Sequence, residues 1–135
     1  MDRSTRATSL RVAGGDAAPR AARDAVVSML EGRVGAQVLG DAQLIVSELV
    51  TNSVLHARMG PGDSIGVDVG LSDERLRIAV ADDGAASMPH TIDPDTNWPN
   101  GRGLLLVERL SHAWGVIREH GGATHVWCEL LLTSR

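Results

Sequence analysis

Phenylalanine and tyrosine are absent from this chain of 135 residues, lysine is absent too, and cysteine occurs once. Each absence excludes something. A Walker A loop holds phosphate with its lysine, and a eukaryotic-type protein kinase needs a lysine on a strand, so neither chemistry is available. The 13 basic residues are all arginine and are outnumbered by 17 acidic ones, a net charge of −4 that gives no support to a nucleic-acid surface. The lone Cys128 excludes a disulfide framework and a thiolate zinc cluster. No apolar run is expected to span a membrane, and no signal peptide opens the chain, so a cytoplasmic protein is expected. Without Phe or Tyr, the core must be built from Leu, Val, Ile and Ala with three Trp. The length is that of one domain.

The strongest pattern runs from Asp41 to Ala57. Ala42, Ile45, Val46, Leu49, Val50 and Ser53 recur at the spacing of a buried helical stripe. Asp41 follows Gly40 and is expected to cap the helix. A second line of the same helix carries Glu48, Asn52 and His56, each one turn from the next. A carboxylate and a carboxamide so placed can orient a nucleophile and hold a cation. On an arbitrary helix the same line is more often a solvated polar face.

Around this helix the chain divides readily. Ser9 to Ala13 is expected to form a short edge strand, broken by Gly14-Gly15. Asp16 is expected to cap a first helix ending at Leu30, with an apolar stripe of Ala22, Val26, Met29 and Leu30. Residues 32–40 are a linker or the ragged start of the central helix. Ile65, Val67, Val69 and Leu71 alternate with polar or small residues, as do Leu76, Ile78 and Val80, and the short connection between them makes an antiparallel hairpin. Asp82 continues the second series towards the core. A carboxylate there is costly unless something meets it; otherwise the strand has ended and Asp82 sits in a solvated turn. Residues 84–100 are rich in Gly, Pro, Asp, Asn and Ser and predict a long loop, which inside a compact domain is commonly a functional lid. A helix over 104–110 and strands over 114–118 and 124–132 complete the order. Helices and consecutively paired strands in this order imply an α+β fold, a sheet with helices on one face.

Gly101-Arg102-Gly103 before a helix suits a phosphate, because glycines let the backbone approach an anion and the helix N-terminus offers free N–H groups. Alone, the triplet is an ordinary turn. Together with the Glu48–Asn52 pair, an inward Asp82 and Thr124 after a Gly-Gly turn, it becomes specific. In that order the motifs resemble the GHKL ATPase superfamily, whose ATP-binding domain is the Bergerat fold. Glu48-Leu49-Val50-Thr51-Asn52 looks like its N box, Asp82-Asp83-Gly84 like its first glycine box, and Gly101-Arg102-Gly103-Leu104 like its second. Gly122-Ala123-Thr124 stands in the place of the third. Within the superfamily the chain most resembles the short RsbW-type anti-sigma factor serine/threonine kinases. There S-E-L-V-T-N, G-R-G-L and a late strand like Thr124-His125-Val126-Trp127 occur together. The resemblance covers about residues 10–132, a single ATP-binding domain.

The resemblance implies a two-layer sandwich with a mixed or antiparallel sheet, ATP and Mg²⁺ as cofactors, and a role for each matched residue. Asn52 corresponds to the Mg²⁺ ligand and Glu48 to the general base. Asp82 corresponds to the acceptor for the adenine amino group, and Gly84 to the glycine that lets the chain pass the base. Gly101, Arg102, Gly103 and Leu104 correspond to the end of the lid over the phosphates, and Thr124 to a hydroxyl near the adenine. His56 carries no implied role. Ala86 stands where the first glycine box usually has its second glycine. The implied partners are an anti-sigma factor antagonist of the STAS type, a sigma factor and a second copy of the chain, with no direct nucleic-acid or membrane contact. Two functions follow. One is phosphorylation of a Ser or Thr on the STAS partner; the other is non-catalytic sequestration, with nucleotide as a structural ligand or absent.

Overall fold

A computed structural model of the chain describes residues 6–56, 62–82, 102–118 and 124–132. Eight elements follow one another: β1 (Arg6–Ala13), α1 (Ala18–Leu30), α2 (Ala36–His56), β2 (Ser64–Leu71), β3 (Arg75–Asp82), α3 (Arg102–Leu110), β4 (Ala113–Arg118) and β5 (Thr124–Leu131). The strands form one sheet in the order β1-β2-β3-β5-β4, and every neighbouring pair is antiparallel. The expected lid over residues 84–100 lies outside the described residues.

Alternation along the strands sorts the sheet into two faces. Ile65, Val67 and Val69 of β2, Leu76, Ile78 and Val80 of β3, and Val126, Cys128 and Leu130 of β5 are all buried on one face. The helices cover that face, which gives the two-layer α+β sandwich. The central helix delivers the expected stripe: Ala42, Ile45, Val46, Leu49, Val50 and Ser53 are all buried. It packs against α1, α3 and β3, so it is the spine of the helical layer. Cys128 lies in this core, and burial pushes its thiol up to about 11, which keeps it neutral and chemically quiet.

Several boundaries differ from the sequence expectations, β4 and β5 by a single residue each. Helix α2 begins at Ala36, so Asp41 lies inside it and caps nothing. The Gly35 carbonyl accepts the first helical bond from the Leu39 N–H at 2.9 Å. Val38 and Leu39 already pack on the core, so their burial carries the helix through Gly40. Asp16 is likewise no cap: Ala17 holds that position, with no side-chain cap bond. A turn closed from the Ala18 N–H to the Gly15 carbonyl feeds the helix instead, and Gly15 takes the positive φ of 109° that this entry requires. Strand β1 starts at Arg6, three residues early, because β2 offers it a full-length partner from Ser64 to Leu71. Helix α3 starts at Arg102 rather than Leu104. Contrary to expectation, Ala36–Leu55 is long and apolar enough by composition to cross a membrane. Here that apolarity is spent on the core, since the stripe is buried against the sheet and two helices.

Gly40 supplies a test of the lengthened helix. A Cβ built there meets nothing within 4 Å. Glycine inside a helix is less favourable than alanine by roughly 0.5–1 kcal/mol. Gly40→Ala is therefore expected to raise stability by that amount, read from a denaturant midpoint at unchanged slope. A helix that began at Asp41 would give no such gain.

The other face of the sheet carries small residues and one polar cluster. Trp127 lies flat over Gly115, where an added Cβ would come within 2.8 Å of its ring nitrogen. The Arg77 guanidinium stacks 4.6 Å from the ring centroid. Glu129 receives Arg75 at 3.1 Å and Arg77 at 3.5 Å. These ion pairs are exposed and are each worth at most about 1 kcal/mol.

Candidate functional site

Register places the first two site residues side by side. Asp82 is the last residue of β3 and stands opposite Ile65 of β2 and Thr124 of β5. All three lie on the helix-covered face, with Asp82 8%, Thr124 5% and Ile65 0% exposed. The strand therefore runs through Asp82, and the alternative of a solvated turn is excluded. A buried carboxylate beside a buried hydroxyl, with an aliphatic flank, is an acceptor and a donor–acceptor at a fixed spacing. That pair suits the hydrogen-bonding edge of a planar polar ring better than it suits a metal. Ile65 was marked by alternation only as core. Its place next to Asp82 comes from strand pairing, for which the sequence carries no local signal.

The course of the helices relative to that end follows from where they meet the sheet's other end. A cleft brings the start of α2, from Gly35 to Asp41, against the end of α3 at Leu110 and the end of β5 at Leu130. Thr124 is at the other end of β5, on the order of 20 Å away at about 3.3 Å per residue. Helix α2 rises about 1.5 Å per residue, so Val38 to Asn52 covers a similar length. The C-terminal half of α2 and the N-terminus of α3 therefore run towards the Asp82–Thr124 end. Glu48 and Asn52 lie one turn apart on that half, both half-buried. The Asn52 side-chain nitrogen is buried and has no hydrogen-bond partner among the described residues. A buried amide nitrogen left unpaired costs about 1–3 kcal/mol, so its N–H groups are available to a ligand that accepts. No group of three His, Cys, Asp or Glu that could hold a metal occurs among the described residues.

Gly84 and Gly101 lie outside the described residues. Arg102, Gly103 and Leu104 form the first turn of α3, described in their backbone alone. Arg102 is thus a helical residue rather than part of a preceding turn.

The sequence matches the histidine kinase-like ATPase domain over residues 15–129. The chain belongs to that family. The match begins after β1 and takes in Glu48, Asn52, Asp82 and Thr124. No curated protein matches the sequence significantly. Among solved structures, the RsbU and RsbW domains of Rv1364c from Mycobacterium tuberculosis share the fold, with a TM-score of 0.67 and 21% identity. The similarity covers 92% of this chain and 32% of the other, so this chain spans about a third of that protein's length. At that identity the likeness is one of fold. It agrees with the five-stranded antiparallel sheet and its helical layer, and the histidine kinase-like ATPase fold is that of the sandwich anticipated from the sequence.

Within this family fold, Asp82 offers a direct test. If Asp82 holds the adenine role that the resemblance implies, Asp82→Asn keeps the shape but would turn an N–H towards the adenine amino donor. Loss of a hydrogen bond to a charged group costs roughly 1.5–3 kcal/mol, about ten-fold or more in affinity. ATP binding by calorimetry is expected to fall by at least that factor in a folded mutant. Unchanged affinity would remove Asp82 from the site.

Proposed function

We propose that this chain is a single ATP-binding domain, with its core over about residues 10–132, that acts as an anti-sigma factor serine/threonine kinase. Its substrate is a Ser or Thr hydroxyl on an anti-sigma factor antagonist of the STAS type, and its regulatory target is a sigma factor. What carries this is the row of Asp82 and Thr124 at one end of the sheet, together with the course of α2, which takes Glu48 and Asn52 towards that end. The match to the histidine kinase-like ATPase family supports it, as does the shared fold with a structure containing an RsbW domain.

The residues present fit ATP and Mg²⁺. Asp82 accepts a hydrogen bond from the adenine amino group, and the Thr124 hydroxyl satisfies a neighbouring ring position. Asn52 offers a neutral oxygen to a hard cation, which prefers oxygen ligands and keeps several waters. A site with one such side chain takes its remaining ligands from phosphate and water. When bound, the nucleotide supplies the transferable phosphoryl group and the cation offsets its charge. Glu48, one turn before Asn52, accepts the proton of the attacking hydroxyl and orients it. Gly101, Arg102, Gly103 and Leu104 bring backbone N–H groups and one guanidinium to the phosphates, and Gly84 lets the chain pass the base. The chain works in the cytoplasm as a homodimer, with neither nucleic acid nor membrane as a direct partner.

Ala86 favours a second reading. Ala86 lies outside the described residues; a methyl in place of the second glycine narrows the backbone freedom at that position and suits a protein that sequesters its partner with nucleotide as a structural ligand. Incubation with labelled ATP and the cognate STAS protein, beside a nucleotide titration, separates the two. Label on the STAS protein supports the kinase. Tight partner binding with no transfer to any cognate STAS protein would replace it with sequestration.

A further inference from the structure

A second site lies away from the Asp82 end. The inner side of β1 and β2 and the last turns of α1 enclose a cavity of about 220 Å³. Arg6, Arg33 and the hydroxyl-bearing Thr8 and Ser28 line it, with Leu30 and Val69 among its apolar residues. No carboxylate among the described residues lines it. Arg11, Arg23, Arg75 and Arg77 each hold a partner: Ser64 for Arg11, Ser47 for Arg23, and Glu129 for the last two. Neither Arg6 nor Arg33 makes a side-chain hydrogen bond or ion pair among the described residues. Two forks without a side-chain partner among the described residues, over a cleft that no described carboxylate lines, stand out in a chain whose net charge is −4.

We propose that this cleft binds an acidic, extended segment of a partner protein, with one Glu or Asp carboxylate between Arg6 and Arg33. Three features select that occupant. Guanidinium forks match the planar carboxylate geometrically as well as by charge. The apolar wall suits an aliphatic stem carrying that carboxylate, and the volume exceeds what a bare phosphate needs. The cleft also opens beside β1, which is an edge strand paired on one side only among the described residues. Such an edge accepts an added strand through its backbone groups, while side-chain pockets supply specificity. Arg6 and Thr8 alternate along β1 towards the cleft, so an added strand would place its own alternate side chains there. This assignment is independent of the nucleotide site and survives if phosphoryl transfer is never observed.

The test uses the full chain and a fluorescein-labelled octapeptide of alternating Val and Glu. Anisotropy is expected to show saturable binding that weakens at least ten-fold in Arg6→Gln/Arg33→Gln and weakens steeply between 50 and 300 mM salt. Backbone amide NMR shifts are expected to centre on residues 6–8 and 28–33. Both arginines are surface residues, so the double mutant is expected to fold, and its amide spectrum checks this. Equal affinity in the folded double mutant, or shifts elsewhere, would overturn the proposal. So would inorganic phosphate reproducing the shifts while the peptide fails to bind, which would mark a small-anion site. Conversion of a dimer to a monomer by the double mutation, with no peptide binding, would assign the cleft to a second copy of the chain and overturn it equally.

Discussion

Glu48→Ala is expected to bind ATP like the parent and to transfer phosphate about 10²–10⁴-fold more slowly. The carboxylate stands half-buried on α2, one turn before Asn52 and on the half of the helix that runs towards Asp82 and Thr124. A general base acts only as the hydroxyl loses its proton, so its loss appears in the catalytic rate and leaves ground-state affinity unchanged. Single-turnover transfer to a STAS protein, measured beside calorimetric ATP affinity, reads both quantities. Transfer at the parent rate would show that Glu48 is not the base.

Asn52→Ala is expected to show the opposite pattern in binding and a distinctive one in stability. In the role proposed for it, the carboxamide oxygen would hold the cation that accompanies the nucleotide. Its removal is expected to weaken Mg²⁺–ATP by about ten-fold or more, the scale of one lost hydrogen bond to a charged group. Transfer falls with it. The side-chain nitrogen, however, is buried without a partner among the described residues. Removing a buried, unpaired amide nitrogen relieves a desolvation cost of about 1–3 kcal/mol, part of which is returned as a small cavity. The ligand-free mutant is therefore expected to be as stable as the parent or more so. A gain in stability with a loss of Mg²⁺–ATP affinity is the mark of a residue kept for binding. A structural asparagine would lose stability and leave the affinity alone.

The two substitutions together distinguish the proposed activities. A kinase loses rate at Glu48 and affinity at Asn52. A sequestering protein with nucleotide as a structural ligand keeps its function in Glu48→Ala and loses it in Asn52→Ala. A sequestering protein that uses no nucleotide is indifferent to both.

Much of this protein was legible in the sequence by itself. The stripe from Ala42 to Ser53 named its buried residues correctly, because helical periodicity is a local property that burial only has to accept. The alternation in β2 and β3 did the same, and it put Asp82 on the core side by parity alone. The tight connection between those strands was also local: the Ser72 hydroxyl accepts the Arg75 N–H at 3.2 Å within the turn itself. Local signals misled where burial overrode them. Gly40-Asp41 has the form of a helix start, yet Val38 and Leu39 gain more from packing on the core than Gly40 costs the helix. Only the tertiary structure decided which residues meet. Asp82, Ile65 and Thr124 come from three strands, and their shared row exists because antiparallel register fixes it. Arg6 and Arg33 carry no motif, and they line one cleft because α1 lies across the edge of the sheet. Such meetings depend on pairing and packing between segments far apart in the chain, which no local pattern encodes.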